Sequence, residues 1–177
     1  MNYAEIKYND IANGPGVRTS LFVSGCTHHC KECFNPMTWD FCYGKNFDIS
    51  VEEQIINSLE PAWIAGLTLL GGEPMEPGNQ KALRPFLEKV RAAYPGKTIW
   101  IYSGYTFEEL TDKDYSRTHT EDTIPMLSLA DVLVDGEFVL DLKNISLRFR
   151  GSSNQRIIDL KTSLEAGRAI ISSEQTN

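Results

Sequence analysis

Apolar residues fall into short unbroken runs along the chain, and between the runs they recur every three or four positions, the pattern of buried strands alternating with amphipathic helices. Thr19-Ser20-Leu21-Phe22-Val23-Ser24, Leu67-Thr68-Leu69-Leu70, Thr98-Ile99-Trp100-Ile101-Tyr102 and Asp131-Val132-Leu133-Val134 predict four strands. Each ends in turn-forming or polar residues: Gly25 and a group of cysteines, Gly71-Gly72-Glu73-Pro74, Ser103-Gly104-Tyr105, and Asp135-Gly136. Ser50-Val51-Glu52-Glu53 has the form of a capping box and predicts a helix through Ile55, Ile56 and Leu59 that Pro61 stops. Leu83, Phe86, Leu87 and Val90, at i, i+3, i+4 and i+7, predict a second helix over Asn79 to Tyr94, with Pro85 marking its first turn and Pro95-Gly96 its end. Thr106-Phe107-Glu108-Glu109 repeats the capping-box form before a shorter helix, and the polar run Thr111 to Thr123 predicts a loop. Leu147-Arg148-Phe149 and Arg156-Ile157-Ile158 predict two late strands around the turn Gly151-Ser152-Ser153-Asn154.

Strands alternating with helices predict an α/β fold with a mostly parallel sheet. In such a sheet the four strand-end loops share one rim, the edge where ligands bind in barrels and open α/β sheets. The cysteine loop, Gly-Gly-Glu-Pro, Ser-Gly-Tyr and Asp-Gly are therefore expected to converge on one cavity. With no repeat and no low-complexity linker, residues 1–170 read as one domain, followed by a loose tail, 171–177.

Composition narrows the function classes. The chain has 177 residues, 41% of them hydrophobic, enough to bury a sizeable core. Its net charge of −7, with no basic patch, argues against nucleic acid or an anionic membrane surface as partner. Trp39, Trp63 and Trp100 read as core or partial surface cover, not as a stacking platform for bases. The N-terminus Met1-Asn2-Tyr3-Ala4-Glu5-Ile6-Lys7 lacks the features of a signal peptide, and the apolar stretch Ala62 to Leu70 is too short to span a bilayer, so a cytoplasmic location is expected. In that reducing compartment, Cys26, Cys30 and Cys33 within one short stretch imply metal or redox chemistry rather than disulfides.

Cys-x3-Cys-x2-Cys can wrap a metal centre from one loop, but iron–sulfur and zinc sites normally recruit a fourth ligand. Two readings stand at this point. Cys42, His28 or His29 completes a structural zinc site within an interaction module, or three cysteines hold a four-iron cluster whose remaining iron is open to an exogenous ligand. Away from the metal, Cys42 reads as a small buried thiol. Asn13 to Arg18 reads either as a turn or as a place where Arg18 holds an anionic group near the cavity, and Arg150 to Arg156 either as a polar turn or as a docking edge for a partner's backbone.

The spacing Cys26-x3-Cys30-x2-Cys33 after one strand and Gly71-Gly72-Glu73-Pro74 after the next resembles the radical S-adenosylmethionine enzymes. Further stretches narrow the resemblance: Asn13-Gly14-Pro15-Gly16-Val17-Arg18, Phe22-Val23-Ser24-Gly25-Cys26, Tyr102-Ser103-Gly104-Tyr105, Val132-Leu133-Val134-Asp135-Gly136 and Arg150-Gly151-Ser152-Ser153-Asn154-Gln155-Arg156 are similar to those of activating proteins of anaerobic ribonucleoside-triphosphate reductases. The resemblance implies a partial (β/α) barrel and a [4Fe–4S] cluster on Cys26, Cys30 and Cys33. It implies S-adenosylmethionine chelated to the fourth iron, with Gly71, Gly72 and Glu73 along its methionine end and Ser103 as a further polar contact. Glu32, Cys33 and Phe34 would lie near the adenine; the family often carries an aromatic residue just before the third cysteine, where this chain has Glu32. The implied reaction is reductive cleavage of the sulfonium to a 5′-deoxyadenosyl radical that takes hydrogen from a glycine of the large reductase subunit, with electrons from a flavodoxin-like donor. Activation of another glycyl-radical enzyme, or radical chemistry on a small molecule, is the alternative within the superfamily.

Overall fold

A computed structural model describes residues 1–115 and 117–175. In chain order the elements are β1 (Asn2–Asp10), β2 (Val17–Val23), β3 (Lys45–Asn46), α1 (Ile49–Ser58), β4 (Ile64–Gly71), α2 (Pro77–Ala93), β5 (Thr98–Tyr102), α3 (Phe107–Thr111), α4 (Thr123–Leu129), β6 (Val132–Asp135), β7 (Arg156–Asp159) and α5 (Leu160–Ala166), with short 3-10 turns between some of them. The strands form one sheet in the order β3-β1-β2-β4-β5-β6-β7.

The α/β class and the four parallel strands agree with the sequence reading. Strands β2, β4, β5 and β6 are parallel neighbours, whereas β1 runs antiparallel to β2 and β3, and β7 antiparallel to β6. The sheet is thus mixed, and β3 and β7 are its two unjoined edges, so it is not closed. The reason at the β7 edge is the connection: a parallel return needs a crossover, usually helical, and residues 136–155 contain no α-helix, only a 3-10 turn at Leu140–Leu142.

Several boundaries move for identifiable reasons. β1 escaped the reading because Glu5 and Lys7 interrupt its apolar pattern; these exposed charges suit a strand that pairs with β3 only at Asn2 and Tyr3. The cap of α1 is Asp48, whose carboxylate accepts from the Val51 amide at 3.1 Å, two residues before Ser50. Helix α2 starts at Pro77, a residue suited to the first turn, and continues through the exposed Pro85. The capping box of α3 forms as expected between Thr106 and Glu109. Leu147-Arg148-Phe149 is not a strand; Phe149 instead packs edge-on against Trp100. The supposedly loose tail is held to β7: Ile171 bridges Ile158, Ser172 donates to the Ile157 carbonyl at 2.8 Å, and Gln175 accepts from the Ile157 amide at 2.7 Å. Residues 176 and 177 of that tail lie outside the described residues.

The pleat sends alternate side chains to opposite faces. Leu21, Val23, Leu67, Leu69, Ile99 and Ile101 face the main core with residues of all five helices, Leu83, Phe86, Leu87 and Val90 of α2 among them. Trp100, Val132, Val134 and Ile157 form a smaller cluster on the opposite, helix-free face. Arg18 is fully buried and donates to Thr68 Oγ1, Thr98 Oγ1 and the carbonyls of Leu67, Thr98 and Pro15. It is a cross-link between strands and reaches no anionic group, which corrects that expectation. Trp63 is exposed rather than core. Among the described residues no helix is long and apolar enough to cross a membrane.

Candidate metal centre

The four strand-end loops meet at one cavity of about 520 Å³, within the range of small-molecule sites. Phe22, Leu70, Tyr102 and Val134 floor it from the helix-free face. The residues that the resemblance places at the cluster or the nucleotide all line it: Cys26, Cys30, Glu32, Cys33, Phe34, Gly71, Gly72, Glu73 and Ser103. The far wall comes from residues 136–155, Phe138, Ile145 and Arg150 among them, a contribution that periodicity did not announce.

The cysteine loop is fastened at several points. The Gly25 amide donates to Thr38, and the Gly25 carbonyl accepts from Glu73. Gly25 has φ +96°, and a β-carbon there would strike the Phe41 ring. The Thr27 amide and hydroxyl both donate to Glu76 Oε1, at 2.8 and 2.6 Å. His29 and Glu32 occupy left-handed backbone, and the Cys33 amide closes back on the Cys30 carbonyl. His28, which the sequence reading left as a loop residue or a zinc ligand, is held by two carboxylates. Its Nε2 lies 3.1 Å from Glu73 Oε2 and its Nδ1 2.6 Å from Glu137 Oε1, so neither nitrogen is free for a metal. Burial opposes the charged imidazole, yet hydrogen bonds and charge from Glu73 and Glu137 outweigh it and raise its pKa.

Gly71 and Gly72 also allow close packing within the chain. A β-carbon on Gly71 would come within 2.8 Å of Phe22 Cα and the Val23 nitrogen, and one on Gly72 within 2.6 Å of the Gly25 carbonyl oxygen. Their missing side chains make room for this chain's own backbone. The Glu73 carboxylate, buried, accepts from the amides of Met75 at 2.8 Å and Gly104 at 2.7 Å as well as from His28. It ties loops together rather than pointing a free charge at a ligand.

Burial pushes the Cys26 thiol up to about 12, and it also raises Cys30, where the Glu137 charge adds and the Phe138 amide opposes. Such thiols are poor nucleophiles. A metal centre reverses this, because coordination displaces the proton. Among the described residues no three His, Cys, Asp or Glu side chains are grouped to hold one metal ion. A zinc ion needs donors about 2.0–2.3 Å from one point, whereas a four-iron cluster presents a separate iron to each thiolate. Cys26, Cys30 and Cys33 all line the cavity. Cys42 is exposed and is not part of the cavity, so it is neither the buried thiol expected nor a fourth ligand. Three lining residues also carry buried polar atoms without a hydrogen-bond partner: Trp39 Nε1, Tyr102 Oη and Arg150 Nε. Each such atom costs about 1–3 kcal/mol if left unmet.

A family model described as a 4Fe-4S single cluster domain matches residues 12–158. The chain is 43% identical over 159 residues to the anaerobic ribonucleoside-triphosphate reductase-activating protein of Haemophilus influenzae, covering 89% of this chain and 97% of that protein. It belongs to the family of anaerobic ribonucleoside-triphosphate reductase-activating proteins. The Escherichia coli K12 activating protein is 42% identical over 163 residues, covering 91% of this chain and all of that protein; that of bacteriophage T4 is 37% identical over 157 residues, covering 89% of this chain and 93% of its own length. For a reductase-activating protein the choice between zinc and iron falls to iron and sulfide. The donor set fits: among the described residues three thiols from one loop line the cavity and no fourth cysteine does.

Proposed function

We propose that this activating protein holds a [4Fe–4S] cluster on Cys26, Cys30 and Cys33, binds S-adenosylmethionine beside it, and converts a glycine of the anaerobic ribonucleoside-triphosphate reductase large subunit into a glycyl radical. The observation that carries this is the convergence of the three-cysteine loop and the other strand-end loops on one cavity. We read β2, β4, β5 and β6 as the partial (β/α) barrel of the radical S-adenosylmethionine enzymes, a flavodoxin-like protein as electron donor, and the cytoplasm as location.

Held by Cys26, Cys30 and Cys33, a bound cluster would supply the electron for reductive cleavage of S-adenosylmethionine to methionine and the 5′-deoxyadenosyl radical that would take the glycine hydrogen. The chain's own residues have three tasks. The three cysteines fix the cluster in a loop cross-linked by Glu73, Glu76 and His28. The Gly71-Gly72-Glu73 turn, with Ser103 next to it, forms the wall for the methionine end. Residues 136–155 cover the far side and limit water around a radical, the usual purpose of enclosure. No general acid or base is needed. Arg150 to Arg156 is largely bound within itself: Gln155 Oε1 accepts from the amides of Gly151 and Ser152, and Arg156 is paired with Asp135 and Glu108. That binding favours a shaped wall over an edge of free donors.

Phe34 follows the third cysteine and is 96% exposed at the cavity edge, placed to cover the adenine once ligand is present. Base–aromatic stacking contributes about 1–3 kcal/mol, so Phe34→Ala is expected to weaken S-adenosylmethionine binding roughly fivefold or more, read by equilibrium dialysis on cluster-loaded protein. Glu32→Ala should change it little; the reverse ranking places the adenine elsewhere.

The function is tested by mixing anaerobically loaded protein, reductant, S-adenosylmethionine and the purified reductase. A glycyl doublet in electron paramagnetic resonance, carried by the reductase and absent when S-adenosylmethionine is withheld, is the expected result. Cleavage of S-adenosylmethionine with no doublet on the reductase would reassign the partner.

A further inference from the structure

His28 lies between two of the cysteines, its side chain 3% exposed, and the function described above does not require it. It touches all three of the other strand-end loops. One ring nitrogen meets Glu73 after β4, the other meets Glu137 after β6, and the ring packs against Tyr105 after β5, the two centroids 4.3 Å apart and the planes tilted by 58°. Gly104 makes room for it, since a β-carbon there would lie 2.7 Å from the imidazole.

The two carboxylates are not equivalent. Glu73 is anchored independently by the amides of Met75 and Gly104. Glu137 is half exposed, makes no side-chain hydrogen bond or ion pair among the described residues other than that to His28, and lies at the start of the segment 136–155 that walls the cavity. The next residue, Phe138, lines the same cavity as Cys30. Solvent exposure is one of the levers that set a cluster's reduction potential, because water stabilises the more negative, reduced form.

We propose that His28 and Glu137 are positioning residues: their hydrogen bond latches the far wall, Phe138 included, onto the cysteine loop and keeps water from the Cys30 side of the cavity, so that wall closure and cluster potential are set together. This rests on the three-cysteine cluster assigned under the proposed function.

Two variants separate the latch from simple electrostatics. Glu137→Ala and Glu137→Gln both remove a negative charge, which on its own moves the potential upward in each, but the Gln amide oxygen still accepts from His28. Redox titration of the loaded proteins, followed by electron paramagnetic resonance, should place E137A, with its wall unlatched, at a more positive midpoint than E137Q and alter its g values, at equal iron per chain. Hydrogen exchange over residues 138–150 should be faster in E137A than in E137Q. Equal midpoints and equal exchange in the two variants would overturn the latch while leaving the cluster assignment standing. Parent protein that takes up no iron and sulfide would instead remove the cluster assignment itself.

Discussion

Serine at Cys26, Cys30 or Cys33 is expected to reduce reductase activation to background while leaving far-ultraviolet circular dichroism unchanged. The three thiols lie in a loop beyond the end of β2, outside the main apolar core, and the loop is fastened by Gly25, Thr27, Cys33 and His28 through bonds that do not use the sulfurs. Loss of a cluster ligand should therefore cost iron and sulfide rather than fold. Cys42→Ser is the control: exposed and away from the cavity, it should retain full iron and activity. Collapse of the dichroism spectrum in all three loop variants would mean that the thiols hold the fold. Metal loss in the Cys42 variant would restore a four-ligand site.

The second large effect is expected on stability. Arg18 is wholly buried without a carboxylate partner, and burial lowers its pKa to about 10, against the upward pull of Tyr102, Asp131 and Asp10. Five oxygen acceptors from β4, β5 and the turn before β2 converge on its guanidinium, which also lies over the Trp100 ring at 5.6 Å. Arg18→Met fills similar volume but leaves buried oxygens unmet, a loss of about 3 kcal/mol. For a chain of this size the thermal midpoint should fall by roughly 6–12 °C. Arg18→Lys should not restore it, because an ammonium cannot reproduce a planar fork spanning two strands. An unchanged midpoint in the Met variant would show that the cross-link is energetically neutral.

What could be read in the sequence was whatever repeats with a physical period or a fixed spacing. The four parallel strands were legible because each is an apolar run stopped by Gly or polar residues, and their loops converge because parallel strands share one direction. The Thr106–Glu109 box was legible because both partners lie within four residues. The remainder depends on distance across the fold. Glu5 and Lys7 hid β1, whose role as a sparsely paired edge makes charge useful. The returning antiparallel β7 follows from the absence of a crossover helix in 136–155, and no local signal distinguishes such a wall from a loop. His28 acquires its role only when Glu73, Tyr105 and Glu137 arrive from three different strand ends. Gly71 and Gly72 were noticed as motif residues, yet the atoms that forbid a β-carbon there belong to β2 and the cysteine loop.

The central claim is that three thiolates leave one iron open for the amino and carboxylate groups of S-adenosylmethionine. Pulsed electron–nuclear double resonance on the reduced, loaded protein tests it most directly, using S-adenosylmethionine labelled with ¹⁵N at the amino group and ¹⁷O at the carboxylate. The account predicts hyperfine coupling of both labels to the cluster, present in the parent protein and abolished by excess unlabelled S-adenosylmethionine. A reduced cluster that binds the nucleotide but shows neither coupling would contradict it.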